Sequence, residues 1–112
     1  MRSGRWRLED VLGTLPPETP GARYVKPASN GTMGLGLYAP RDHDPQRPHD
    51  QDELYIVQSG TGILRCDGGK QPFGPGDVLF VGAGVEHRFE DFSDDFAAWV
   101  VFWGPTGGEG SE

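Results

Sequence analysis

The chain has 112 residues with a net charge of −7, which fits one domain and excludes the broad basic face that nucleic-acid binding needs. One cysteine excludes an intrachain disulfide and favours a reducing, cytoplasmic compartment, and no apolar stretch is long enough to span a membrane. The 18 glycines and 10 prolines predict a domain with many tight turns.

The N-terminal half begins with a weak helical signal and then changes to a strand pattern. Residues 5–15 carry apolar side chains near helical spacing and stop at Pro16, so we predict at most one short helix there. A short strand begins at Tyr24 and ends before Pro27, and residues 32–39 alternate between two faces. The glycines at 34 and 36 share one of those faces, which indicates close approach of another strand or a ligand. Residues 39–50 are predicted to be a loop.

The C-terminal half is a series of short apolar segments separated by turn residues. Strands are predicted at 53–58, 61–66, up to 73, at 78–81, 85–89 and 96–103, with Ser59-Gly60 as a hairpin turn. About eight strands at this spacing predict an antiparallel sandwich or barrel. We divide the chain into an N-terminal segment packing on the barrel (1–20), a β-barrel (21–104) and a disordered tail (105–112).

Three side chains are candidates for one inward-facing polar site. His49 and Glu53 share the parity of Tyr55, so they point to one face if the strand extends back through residue 50. His87 shares a strand face with apolar residues, which is costly unless both ring nitrogens find partners. A metal ion supplies one partner and a carbonyl or carboxylate the other. A hydrogen-bonded core histidine is the alternative for both histidines.

Residues 41–60 resemble the first cupin motif, which runs Gly, five residues, His-x-His, three or four residues, Glu, six residues, Gly. His49 fills the second His position, Glu53 follows after three residues, and Gly60 follows after six more. Two positions depart from the motif. Arg47 stands at the first His position, and Arg41 stands at the opening Gly.

Residues 76–91 resemble the second cupin motif, which runs Gly, five residues, Pro-x-Gly, two residues, His, three residues, Asn. Gly76, Gly84 and His87 match at the motif's spacing. Gly82 stands at the Pro position and Asp91 at the Asn position. Fifteen residues separate the two motifs, a spacing similar to that of small bacterial cupins.

The resemblance implies an all-β, cupin-type jelly-roll β-barrel that holds one divalent transition metal ion. Because Arg47 replaces the first His, the ligand set that it implies is His49, Glu53 and His87. Two imidazoles and a carboxylate suit Fe, Mn, Ni, Co or Zn and leave positions open for water or substrate. Gln51, between two of these residues, is a candidate fourth ligand.

Other side chains are candidates for contact with a small-molecule ligand. Arg47 is either a solvated loop residue or a bidentate partner for an anionic substrate. Tyr38 and Tyr55 are candidate acids or bases if they line the barrel. His43 is expected to be an exposed loop residue.

Three functions fit this sequence. The leading one is metal-assisted chemistry on a small anionic molecule, of oxygenase, isomerase, cyclase or lyase type. The second is a non-catalytic small-ligand-binding or sensor cupin, favoured by the missing His ligand. The third is a metal-free barrel that binds a sugar or another small molecule. In each case we expect a homodimer, because Trp6, Trp99 and Trp103 are placed to cover an open strand edge.

Overall fold

The structure, a computed structural model, describes residues 1–17 and 20–110. The described residues form one helix and eight strands. This confirms the predicted all-β fold with at most one short helix. No helix in this part of the chain is long and apolar enough to cross a membrane. The elements are α1 (Leu8–Leu12), β1 (Tyr24–Asn30), β2 (Met33–Tyr38), β3 (Asp52–Ser59), β4 (Gly62–Cys66), β5 (Gly69–Phe73), β6 (Val78–Val81), β7 (His87–Glu90) and β8 (Ala97–Trp103).

The strands form two antiparallel sheets that face each other in a jelly-roll-like barrel. The larger sheet has the order β1-β2-β8-β3-β6, and the smaller has the order β5-β4-β7. Alternate residues of both sheets point inward and form one apolar core between them. The antiparallel barrel predicted from the strand spacing is therefore confirmed. The core consists of Tyr38, Tyr55, Val57, Leu64, Phe73, Leu79, Val81, Phe89, Phe96, Ala98 and Val100.

Strand β1 is longer than the sequence predicts, because it continues through Pro27. Its register with β2 shifts between Val25 and Ala28, so a bulge takes Pro27 out of the regular ladder. Proline is tolerated at a bulge on an edge strand because no ladder hydrogen bond requires its missing N–H. The sequence pattern alone therefore predicts an end for β1 that is too early.

The glycine face of β2 is closely covered, as its composition predicts. A Cβ atom on Gly36 would overlap the ring of Tyr24, which lies on the neighbouring strand β1. A Cβ atom on Gly34 would lie 3.6 Å from Phe102 on the other neighbour, β8. Gly36 therefore makes room for the ring of Tyr24, whereas a methyl group on Gly34 would make an ordinary contact with Phe102.

The N-terminal segment is hydrogen-bonded to the residue just before β1, an edge strand of the larger sheet. Its helix, Leu8–Leu12, is the one short helix predicted within residues 5–15, and of its side chains Val11 is buried. The Nε atom of Arg23, just before β1, donates to the carbonyl oxygen of Pro16 at 3.1 Å. Residues 18 and 19 of this segment lie outside the described residues.

Residues 105–110, the described part of the segment predicted to be a disordered tail, contact residues at the start of β3. The backbone N–H of Gly107 donates to the carbonyl oxygen of Asp50 at 2.8 Å. The backbone N–H of Glu109 donates to Oδ2 of Asp52 at 3.0 Å. One partner is a backbone carbonyl and the other a side-chain carboxylate, and neither contact can be read from local sequence. Residues 111 and 112 lie outside the described residues.

Candidate metal centre

His87 lies on β7 with its ring inside the barrel. Its residue is 3% exposed, and its neighbour Arg88 is exposed, as strand alternation predicts. Nδ1 lies 2.9 Å from the carbonyl oxygen of Val85, which accepts a hydrogen bond from it. In a neutral imidazole this bond leaves the lone pair of Nε2 facing the barrel interior.

Glu53 lies opposite His87, on β3 of the larger sheet. The residue is 1% exposed, and Oε1 lies 3.1 Å from Nε2 of His87. Its second oxygen, Oε2, is buried and has no hydrogen-bond partner among the described residues. A buried carboxylate with an unpartnered oxygen is costly unless a cation lies beside it.

His49 reaches the same place from the loop between β2 and β3. It precedes β3, so the strand register does not extend back to it. Its carbonyl oxygen instead accepts a hydrogen bond from the N–H of Gly84, 2.7 Å away in the loop between β6 and β7. Nε2 of His49 lies 3.8 Å from Oε1 of Glu53, and its ring centroid lies 5.3 Å from that of His87.

The three donor groups fit one divalent ion. One donor atom from each of His49, Glu53 and His87 lies within 4.8 Å of the other two. Two ligands bound to one ion at about 2.1 Å lie roughly 3–4 Å apart, and the two His–Glu distances of 3.1 and 3.8 Å fall within that range. Two imidazoles and one carboxylate are a donor set for transition metals.

The carboxylate of Glu53 and the carbonyl oxygen of Val85, which accept hydrogen bonds from the His87 ring, influence the pKa of His87. Burial lowers the pKa of the His87 imidazole, but these hydrogen bonds and the charge of Glu53 outweigh the effect of burial. The net result is a raised pKa. The pocket thus stabilises a positive charge beside Glu53, and either a proton or a metal ion provides one.

The hydroxyl group of Tyr55 lies at the centre of the site. It is 3.0 Å from Oε1 of Glu53, 3.1 Å from Nε2 of His87 and 3.1 Å from Oε1 of Gln46. Burial and the negative charge of Glu53 raise the pKa of Tyr55 well above its usual value. Tyr55 is therefore neutral at pH 7 and carries one hydroxyl proton beside the donor atoms.

A second buried carboxylate, Asp44, adjoins the site. It is 3% exposed and accepts hydrogen bonds from the Tyr38 hydroxyl, the backbone N–H of Phe89 and the amide nitrogen of Gln46. Burial, and then the hydrogen bond to Asp44, raise the pKa of Tyr38. Asp44 thus ties the loop between β2 and β3 to β7.

A small cavity opens beside these groups. Its volume is about 260 Å³, slightly below the roughly 300–1,000 Å³ of typical ligand pockets. Its lining is mostly aromatic and apolar: Ala22, Tyr24, Tyr38, Gln46, His49, Tyr55, Val100 and Phe102. A space of this size fits a small molecule.

Comparison with known proteins places this architecture in a family. The cupin domain family model matches residues 34–103, well over half of the chain. The chain belongs to the cupin family. Within it, the uncharacterized protein SCO3923 of Streptomyces coelicolor is 37% identical over 84 residues, covering 73% of this cupin and 80% of that protein.

Two further matches are a sequence match to a transcriptional activator and a structural match to a solved barrel. The HTH-type transcriptional activator RhaS of Yersinia pestis is 31% identical over 78 residues, which are 70% of this cupin but 29% of the activator. The chain therefore spans less than a third of that activator's length. A Cupin 2 conserved barrel domain protein from Salinispora arenicola has a TM-score of 0.67 at 24% identity, covering 92% of this chain and 91% of that one.

Three other residues considered in the sequence analysis are Arg47, Gln51 and His43. Arg47, at the first His position, is exposed and does not line the cavity. The amide nitrogen of Gln51 donates to the carbonyl oxygens of Thr32 and Gly104, at 2.8 and 2.9 Å, so Gln51 is tied to the backbone and not to the three donors. His43 is exposed and lies beside Asp42.

Gln46 and Asp44 are the site residues that sequence reasoning missed. Both precede the His-x-His position of the motif, in a loop where three prolines interrupt any strand alternation. Parity therefore gives no indication of which loop side chains turn inward. The burial of an aspartate within a charged, proline-rich loop becomes visible only when β7 packs against that loop.

Proposed function

We propose that this cupin binds one divalent transition metal ion through His49, Glu53 and His87 and acts on a small, anionic molecule by metal-assisted chemistry. One observation carries the proposal. Three donor atoms from separate parts of the chain converge within 4.8 Å inside the barrel. Beside them, the buried Oε2 atom of Glu53 has no partner among the described residues.

The charge of the site favours an anion. A divalent ion, one carboxylate and two neutral imidazoles together leave a net charge of about +1. When bound, the ion would supply a Lewis acid or an oxygen-activating centre. Arg47 is exposed, so it adds no cation to the cavity wall itself. The preference for an anionic group therefore comes from the metal site.

The cavity side chains have separate tasks in this proposal. Tyr24, Val100 and Phe102 provide an apolar wall that binds the carbon skeleton of the ligand and excludes water. The Tyr55 hydroxyl lies within 3.1 Å of Glu53 and His87, so it is the candidate group for donating a hydrogen bond to the ligand or exchanging a proton with it. Oxygenase, isomerase, cyclase and lyase reactions all fit this arrangement.

Metal analysis tests the proposal most directly. We expect tag-free protein purified without chelator to contain about one metal ion per chain. His49→Ala and His87→Ala should each lose most of it, because two remaining donors bind a divalent ion weakly. His43→Ala is the matched control and should retain the wild-type content. Equal metal content in all three variants, or none in the wild type, would contradict the assignment.

A second candidate is a sensor that binds a small molecule without turnover. The match to a transcriptional activator over 29% of its length favours it, since the matching segment there is one part of a larger protein. The departure at Arg47 favours it as well. Saturable ligand binding without oxygen uptake or a change in ultraviolet absorption would support the sensor, and substrate-dependent turnover would support the enzyme.

We also propose that this cupin forms a homodimer through the outer face of its larger sheet. On β6, an edge strand, Val78 and Phe80 are each 57% exposed. They continue two apolar rows whose other members are less exposed, and neither row contains a charged residue. The rows are Leu35–Val101–Leu54–Phe80 and Leu37–Trp99–Ile56–Val78. A second copy of the chain covers this face without burying charge.

A further inference from the structure

The side-chain amide of Gln46 has a fixed orientation at the metal centre. Its nitrogen lies 2.7 Å from Oδ2 of Asp44. A carboxylate accepts hydrogen bonds and does not donate them, so this contact identifies the nitrogen end of the amide. The oxygen end, Oε1, therefore points toward His49 and Tyr55.

Two acceptor atoms then face each other once His49 binds a metal. Oε1 of Gln46 lies 3.1 Å from Nε2 of His49. An imidazole nitrogen that coordinates a metal carries no proton, so it cannot donate to Gln46. Two lone pairs at this distance repel each other unless they share a cation. A separation of 3.1 Å is also the spacing expected for two ligands on one ion at bonds of about 2.1 Å.

Asp44 fixes Gln46 relative to β7. Besides the amide of Gln46, the carboxylate accepts the backbone N–H of Gln46 at 3.2 Å and that of Phe89 at 2.8 Å. Phe89 lies two residues after His87 on the same strand. The same carboxylate thus joins the loop that carries Gln46 to the strand that carries His87.

We propose that the side-chain oxygen of Gln46 is a fourth protein ligand of the metal and that Asp44 is its positioning residue. This inference rests on the proposed function, since it adds a ligand to the site formed by His49, Glu53 and His87. The added ligand is neutral, so the charge of the site stays at about +1. Half of the donor atoms are then hard oxygens, which suits Mn²⁺ and Fe²⁺ better than an all-nitrogen set does.

Titration of the metal-free protein with Co²⁺, followed by visible absorption in competition with a chelator, tests this ligand. Gln46→Leu removes the oxygen at similar volume and should weaken Co²⁺ binding by about 10- to 100-fold, with a changed visible spectrum. Gln46→Glu keeps an oxygen ligand but loses the amide donor to Asp44, so it should still bind Co²⁺, with a visible spectrum different from that of the wild type. Gln51→Leu, the matched control, should change neither the affinity nor the spectrum.

Asp44→Asn tests the positioning role in the same titration. We expect a changed Co²⁺ spectrum well below its unfolding temperature, which a purely structural role would leave unaltered. Co²⁺ affinity and spectrum of Gln46→Leu equal to those of the wild type would overturn the fourth ligand while leaving the three-residue site intact. Absence of Co²⁺ binding by the wild type would overturn the proposed function itself. If Gln46→Leu does not fold, a Gln46→Glu spectrum identical to the wild type's would count against the ligand.

Discussion

At the scale of single residues, the site depends on pairing buried polar atoms. His87, Glu53 and Tyr55 point inward because they alternate with outward residues on regular strands. His49 and Gln46 lie in a loop, where alternation has no meaning. They reach the site because a backbone hydrogen bond from Gly84 and the carboxylate of Asp44 direct them there. The strand residues of the site are thus readable from strand alternation, His49 is readable only from its motif position, and Gln46 is readable from neither.

The buried carboxylate of Asp44 leads to a stability prediction. Asp44→Ala leaves the Tyr38 hydroxyl and the Phe89 backbone N–H without their acceptor. Buried groups that lose a charged partner cost about 1–3 kcal/mol each, so we expect the free energy of unfolding to fall by roughly 2–4 kcal/mol in urea denaturation. The exposed Asp94→Ala is the control and should change it by less than about 0.5 kcal/mol. A similar small change at Asp44 would contradict its structural role.

At the scale of elements, the turns and bulges determine which strands can pair. The bulge in β1 lets Pro27 lie within an edge strand. Gly60, which ends the first cupin motif, joins β3 to β4 with φ at +83°. A Cβ atom there would lie 2.6 Å from the Cα of Phe96, which leads into β8. The motif glycine is therefore required for two reasons, its backbone conformation and the close approach of another strand.

Gly60→Ala and Gly76→Ala separate these two reasons. Both glycines have φ near +85°, at +83° and +88°, but a Cβ on Gly76 meets nothing within 4 Å. Gly76→Ala should lower the free energy of unfolding by about 1–2 kcal/mol from backbone strain alone. Gly60→Ala should lower it further, by roughly 1–3 kcal/mol more, because the methyl group overlaps backbone. Equal losses in thermal or chemical denaturation would show that close packing at Gly60 is unimportant.

At the scale of the whole molecule, the larger sheet has one face in the core and one apolar face outside it. The outer rows are best covered at Leu37, which is fully buried, and least covered at β6. Phe80 also contacts Trp103, with ring centroids 6.2 Å apart. Trp103, one of the three tryptophans that the sequence analysis placed at an open edge, thus contacts β6 through Phe80. The homodimer and the cytoplasmic location remain predictions.

Phe80→Lys tests the dimer. Sedimentation of the wild type should give twice the chain mass of 12.2 kDa, and the variant should sediment as a monomer, because two lysines would be buried across a two-fold axis. Asp94→Lys, on an exposed position of the loop between β7 and β8, is the control and should sediment like the wild type. A wild-type monomer at micromolar concentration, or a dimeric Phe80→Lys, would contradict the interface.

The sequence by itself determined the antiparallel jelly roll and the three candidate ligands, because strand alternation and motif spacing are local properties of the chain. The tertiary structure decided the partners of the loop residues: Gln46, not Gln51, faces the donors, and Arg47 lies outside. It also decided that residues 105–110 lie against β3. Such contacts join segments distant in sequence, so their energies arise only when the two sheets and their loops come together.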